Sequence, residues 1–114
     1  MNKRTIGTLY ETKAAEYLER AGYHILERNY RCCMGEIDLI ALHQGYLVFV
    51  EVKFRKDAHT GYGAEAVDWR KQKRIIAAAR WYLMEKYRGE IPCRFDVLSF
   101  LGEEIQLIQD AFWC

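Results

Sequence analysis

The chain has 114 residues, 51% of them hydrophobic and 29% charged, with a formal net charge of +1. That balance fits one globular domain over residues 1–114, long enough to bury a core without staples. It excludes any global electrostatic argument for a nucleic-acid partner, so such an argument must rest on local charge.

The four cysteines are Cys32, Cys33, Cys93 and Cys114. They form no Cys-x-x-Cys pair, and His24, His43 and His59 stand apart from them, which argues against a zinc site. They read as thiols of a reducing cytosol. The start, MNKRTIG, lacks an apolar signal core, and no run approaches transmembrane length. The expectation is a cytoplasmic protein with no membrane partner.

Asn2 to Ala21 carries apolar residues at helical spacing: Ile6, Leu9, Tyr10, Tyr17, Leu18. A neighbouring stripe, Gly7, Glu11, Ala14, Ala15 and Leu18, is small enough for close approach to another element, and would turn Glu11 toward that element. Gly22 stops the helix. Tyr23 to Arg31 reads as a short strand, and Cys32 to Gly35 as a bend.

Two strands follow, Glu36 to His43 and Tyr46 to Phe54, joined by Gln44-Gly45. Both faces of each are apolar, as in a sheet covered on two sides. A two-residue turn sets His43 against Tyr46, so Asp38 falls opposite Glu51 and Glu36 opposite Lys53. Residues so opposed have Cβ atoms ~4.5–5.5 Å apart.

Arg55 to Val67, with Gly61 and Gly63, lacks periodicity and reads as a loop. Asp68 is a suitable N-cap for a helix from Trp69 to about Arg88. Its inward stripe is Gln72, Ile75, Ile76, Ala79, Tyr82, Leu83 and Tyr87. Arg70, Lys71, Lys73 and Arg74 crowd its first turns, where the helix dipole favours anions. Cys93 to Phe100 and Glu104 to Gln109 are the last strands, and the apolar tail Ala111 to Cys114 is expected to pack down. The order is α-β-β-β-α-β-β.

Charges inside apolar strands are costly unless something compensates them. Asp38 facing Glu51 needs a shared proton or a cation between the two. Carboxylate oxygens suit Mg²⁺, with Mn²⁺ as the alternative, and the Val52 carbonyl would add a ligand. Lys53, two residues from Glu51, shares its strand face and would steady a water or a phosphate oxygen. Gln72 would contact the substrate. Arg55, Lys56, Arg70, Lys71, Lys73 and Arg74 would meet the phosphates of such a substrate, and a homodimer would double that surface.

Asp38 followed by Glu51-Val52-Lys53 resembles the PD-(D/E)XK nuclease motif. With GEIDLIA, VFVEVKFR, AVDWRKQKR and CRFDV around it, the chain resembles the bacterial YraN family, itself similar to archaeal Holliday-junction resolvases. The resemblance covers nearly the whole chain. It implies a restriction-endonuclease-like three-layer α/β fold, with a central mixed sheet flanked by helices, and catalytic positions at Asp38, Glu51 and Lys53. It also matches Glu11 to the acidic residue of the first helix and places Glu36 in the family pattern. One departure is Tyr10, where the family carries a glycine. The function so implied is Mg²⁺-dependent cleavage of DNA, branched or damaged DNA among the substrates; the alternative is a nucleic-acid-binding protein of the same fold with weak or no turnover.

Overall fold

Gln44 and Gly45 both take positive φ, 50° and 85°, the combination that a type I′ turn requires and that matches the twist of the strands it joins. The turn connects β2 (Gly35–His43) to β3 (Tyr46–Arg55) and sets the pairs His43↔Tyr46, Leu42↔Leu47, Ala41↔Val48, Ile40↔Phe49 and Leu39↔Val50. This computed structural model describes residues 3–55, 68–87 and 89–113, without the side chains of 3–8 and 55. The loop expected after Arg55 lies outside the described residues.

Five strands form one mixed sheet in sequence order. β1 (His24–Cys32) and β2 are antiparallel, as are β2 and β3. β4 (Cys93–Leu101) runs parallel to β3, which demands a crossover, and α2 (Trp69–Lys86) supplies it. β5 (Glu104–Phe112) returns antiparallel along β4.

Each face of the sheet carries one helix. The first, α1 (Lys3–Arg20), buries Ala14, Ala15 and Leu18 against Leu39, Ala41, Val48, Val50, Leu98 and Phe100. The small-residue stripe, not Leu9, meets the sheet; Leu9 is exposed. Tyr10 packs its ring on Phe54 and Phe100, with centroids 4.4 and 5.1 Å away. On the other face α2 buries Ile75, Ala78, Ala79 and Tyr82 among Ile37, Ile40, Leu47, Phe49, Phe95 and Val97. The result is the three-layer, restriction-endonuclease-like α/β domain that the resemblance implies, in the order α-β-β-β-α-β-β read from the pattern.

α2 begins where Asp68 caps it, its Oδ1 accepting from the Lys71 amide at 2.8 Å. Gly35 holds the same turns close. At φ 149°, an added Cβ there would sit 3.4 Å from the Arg74 carbonyl oxygen. The helix ends at Lys86, short of Arg88.

Two expectations are corrected. Glu36 does not face Lys53. It pairs with Arg31 across β1, and their side chains approach to 3.4 Å. The tail does not pack down as a unit: Phe112 is buried, but Trp113 is 77% exposed.

Candidate active site

The β2–β3 ladder reaches Leu39↔Val50, one pair short of Asp38 and Glu51. Two ionised carboxylates squarely opposed repel each other, and the strands part where they would meet. Asp38 Oδ2 instead accepts from the Val52 amide at 2.8 Å, taking up a donor that the divergence frees from the ladder. On its other side, β1 pairs Arg28 with Leu39 and Tyr30 with Ile37, while Asn29 between them takes φ 52°. Asp38 therefore sits at a break in the sheet bordered by both neighbouring strands.

The two carboxylates remain close. Burial first, and then the charge of Glu51, push the Asp38 carboxyl up to about 8. Asp38 thus holds a proton at neutral pH and shares it toward Glu51, a direct consequence of two acids in one poorly hydrated place.

Glu51 is buried in a face of the sheet that points at α2, the face shared with Leu47 and Phe49. Lys71, in the first turns of α2, reaches its Oε1 at 2.5 Å. Lys53, half-buried on the same strand face, lies 3.9 Å from that oxygen. Burial and the neighbouring Lys71 ammonium lower the Lys53 pKa, and burial alone would lower that of Lys71, but contact with Glu51 raises it. One carboxylate thus collects two ammonium groups, while the other carries a proton.

Sequence reasoning placed Lys71 only among DNA contacts; its contact with Glu51 depends on how α2 docks. Ser99 was also missed. It pairs with Lys53 in the β3–β4 ladder, is buried, and its hydroxyl has no hydrogen-bond partner among the described residues. A buried hydroxyl of this kind is a ready place for an ordered water.

Glu11 bonds to β1 at Asn29, the residue between those that pair with Leu39 and Ile37. Its Oε1 accepts from Asn29 Nδ2 at 2.8 Å, and burial raises its pKa against the opposing charges of Arg28 and Arg31. Among the described residues, no three His, Cys, Asp or Glu side chains gather as a metal site. Asn29 could have been noticed from its type alone, since asparagine tolerates positive φ and is rare in strand interiors.

The remaining basic residues divide between two surfaces of α2. Lys71 and Arg74 line a groove with Asp68, Arg31, Gly35 and Glu36 beside the carboxylates. Gln72 and Lys73 line a second groove with Trp69, Ile76, Arg80 and Trp113. The Arg70 guanidinium lies 5.7 Å from the Trp69 ring centre. The Arg55 side chain and Lys56 lie outside what is described.

The donor set fits a divalent cation. Asp38 and Glu51 are two close carboxyl groups whose repulsion is met by a proton on one and ammonium groups on the other, and Mg²⁺ commonly takes one or two protein carboxylates and completes its shell with water and phosphate oxygens. A cation there would replace the proton on Asp38 and compete with Lys71 for Glu51.

Comparison with known proteins adds kinship. A model described as "Uncharacterised protein family UPF0102" matches residues 10–100. A UPF0102 protein of Lachnoclostridium phytofermentans is 52% identical over 113 residues, covering 98% of this chain and 96% of its own. One of Fusobacterium nucleatum is 45% identical, with 99% and 95% covered. One of Caldicellulosiruptor saccharolyticus is 39% identical, with 98% and 100% covered. No helix among the described residues is long and apolar enough to cross a membrane. The matched residues hold Asp38, Glu51, Lys53 and Lys71 and the relatives align over almost their full lengths, so the chain belongs to the UPF0102 family, the YraN family that its motifs resemble.

Proposed function

We propose that this protein hydrolyses DNA phosphodiester bonds at Asp38, Glu51 and Lys53 as an Mg²⁺-dependent endonuclease, with Mn²⁺ as a substitute. The observation that carries the reading is the convergence of the groups: Asp38 is bonded to the Val52 amide, and the flanking Glu51 is buried with Lys53 and Lys71 at its Oε1; burial and the charge of Glu51 raise the Asp38 pKa accordingly. Strongly perturbed acids in contact with specific charged partners cluster at functional sites, and the proton on Asp38 is one that a metal ion can replace.

In this reading Asp38 and Glu51 hold the ion, and the Val52 carbonyl adds a ligand. Glu11, bonded through Oε1 to Asn29 on the strand beside Asp38, completes the acidic set. Mg²⁺ bound there supplies positive charge to the phosphate and acidifies the attacking water. Lys53 holds that water, or a non-bridging phosphate oxygen, in line with the scissile bond. The water oxygen bonds to phosphorus, the bond to one bridging oxygen breaks, and the water's proton ends on solvent or on the leaving oxygen. Lys71 passes from Glu51 to a phosphate. Arg70, Lys73 and Arg74, on the same turns of α2, meet the DNA backbone, whose charge dominates affinity. Glu36 keeps Arg31 oriented at the rim.

A second reading has one observation in its favour. Glu51 is already neutralised by Lys71 and Asp38 is already bonded to Val52, as in a DNA-binding protein that does not turn over. Incubating the purified protein with labelled junctions, flaps, single strands and duplexes, with Mg²⁺ or Mn²⁺, separates the two. The nuclease reading expects cleavage of at least one substrate that chelator stops. Binding without cleavage across the panel supports the second.

A further inference from the structure

Beyond the groove that holds Lys71 and Arg74, α2 carries a second one, of whose residues the hydrolytic reading uses only Lys73. Trp69, Lys73, Ile76 and Arg80 recur at steps of four, three and four and form one stripe along α2. Trp113, just beyond β5, stands across from them, and Gln72 and Ala77 complete the lining of a groove of about 540 Å³. Trp69 and Trp113 are 60% and 77% exposed. Large apolar rings left in water are a cost unless they bind something.

The groove is basic as well as aromatic. Lys73 Nζ lies 4.7 Å and the Arg70 guanidinium 5.7 Å from the Trp69 ring centre, and Arg80 lines the wall. Its described lining has four aromatic or aliphatic side chains, two cations, one amide and no acid.

Trp113 is also held in place. Between the pairs Phe95↔Phe112 and Val97↔Ile108, residues 109–111 of β5 oppose Asp96 alone. Such a bulge bends a strand and re-aims its side chains. Its Asp110 takes φ 54°, donates its amide to Asp96 Oδ1 at 2.9 Å, and accepts from Trp113 Nε1 at 2.9 Å. Asp96 is itself anchored by both nitrogens of the Arg94 fork at 2.9 Å and by the Tyr23 hydroxyl at 2.6 Å. A buried, fully bonded carboxylate thus orients an exposed indole. A ring fixed in this way loses little further freedom when a flat ligand stacks on it.

We propose that this groove binds unpaired nucleobases, so that the protein's nucleic-acid substrate carries a single-stranded segment. Bases stack on Trp69 and Trp113, and Arg70, Lys73 and Arg80 meet the phosphates on either side. Stacking of this kind tolerates any base, because every base has a π face. Trp69 and Lys71 lie in the same first turn of α2 but on different faces of it, so a strand that stacks in the groove passes round the start of the helix to reach Glu51, which Lys71 touches. The inference deepens the nuclease reading by naming the form of substrate, and it rests on that reading for the role of the bound strand.

The test is binding of the full-length chain, with chelator present to prevent cleavage, to three fluorescent probes of equal length: oligo(dT), an abasic strand with the same phosphates, and a duplex. Oligo(dT) is expected to bind more tightly than the abasic strand. Trp69→Ala and Trp113→Ala are each expected to weaken oligo(dT) binding by about 5- to 150-fold, the cost of one lost stacking partner, while changing abasic and duplex binding less than about twofold. Trp69→Phe should restore much of the loss. Equal affinity for oligo(dT) and the abasic strand, or unchanged oligo(dT) affinity in both alanine variants, overturns the proposal; a groove reserved for a protein partner gives the latter result. Base-dependent binding without cleavage would leave this inference standing and remove the nuclease reading, and cleavage without base dependence would do the reverse.

Discussion

Asp38 Oδ2 accepts a hydrogen bond from the Val52 amide at 2.8 Å, and Val52 stands between Glu51 and Lys53. That one bond ties the β2 carboxylate to the strand that carries the rest of the site. It persists whether Asp38 is charged or protonated, so the geometry survives the proton exchange on which the proposed chemistry depends.

Metal binding should therefore release a proton. At pH 7 Asp38, with its pKa near 8, is mostly protonated, and a divalent ion must displace that proton to reach the oxygen. Calorimetric titration with Mg²⁺ or Mn²⁺ in buffers of different ionisation enthalpy should show about one proton released per ion. Affinity should rise about tenfold per pH unit until about pH 8. Asp38→Asn should abolish the release, and buffer-independent heats in the native protein would count against the assignment.

The same shift predicts a stability cost. Folded Asp38 keeps its proton up to about pH 8, whereas an unfolded aspartate loses it near 3.8. The unfolded chain therefore binds fewer protons across that window, and Asp38's contribution to stability is full below 3.8 and lost as the pH rises through about 8. Asp38→Asn, which keeps an acceptor for Val52, should raise stability at pH 8 by about 1–2 kcal/mol, a Tm gain of several degrees, and by little at pH 4. Thermal melts at the two pH values check the direction.

Lys71 gives a prediction of opposite sign for two ligands. It neutralises Glu51 in the free protein, so Lys71→Ala should tighten Mg²⁺ binding, by roughly three- to tenfold if the lost competition is about 1 kcal/mol. DNA affinity should fall in the same variant and its salt dependence should flatten by about one phosphate contact. Weaker metal binding in Lys71→Ala would mean that Lys71 organises Glu51 rather than competing for it.

At the far end of the sheet, Arg94, Asp96, Tyr23 and His43 form a buried network. Arg94 Nη2 lies 3.0 Å from the Tyr23 hydroxyl and 2.8 Å from His43 Nδ1, and the Tyr23 and His43 rings stack at 4.0 Å. Asp96→Ala strands the Arg94 charge and should cost about 3–5 kcal/mol. Burial and the Arg94 charge lower the His43 pKa. The unfolded chain then takes up a proton below about pH 6.5 that the folded chain resists, so stability is present above that value and lost as the pH falls through the depressed folded pKa. His43→Asn should flatten this acid dependence in chemical denaturation between pH 7.5 and 5.5.

Much of this was legible before the fold was known. Gln44-Gly45 set the register because an Asn- or Gln-Gly pair at a two-residue turn leaves few alternatives, and five pairs follow it. The register stops at Asp38 because side-chain chemistry overrides strand pairing there, which no pattern of apolar residues announces. Glu36 turned to Arg31 for the same reason: β1 supplied a cation beside it. Arg94 and Asp96 carry the signal that made Glu51 and Lys53 conspicuous, two charges at a spacing of two inside an apolar strand, yet their partners Tyr23, His43 and Asp110 come from three other places in the chain. Trp113 read as core because it follows Phe112; the bulge at Asp110 is what turns it outward.

The central claim, that Glu51 and Lys53 perform metal-dependent phosphodiester cleavage, is tested most directly by a single assay. Purified native protein, Glu51→Ala and Lys53→Ala are compared on the labelled DNA panel with Mg²⁺ and Mn²⁺, circular dichroism first establishing that all three are folded. The account predicts cleavage by the native protein and loss of about 10²-fold or more in each variant. Cleavage retained by folded Glu51→Ala would contradict it.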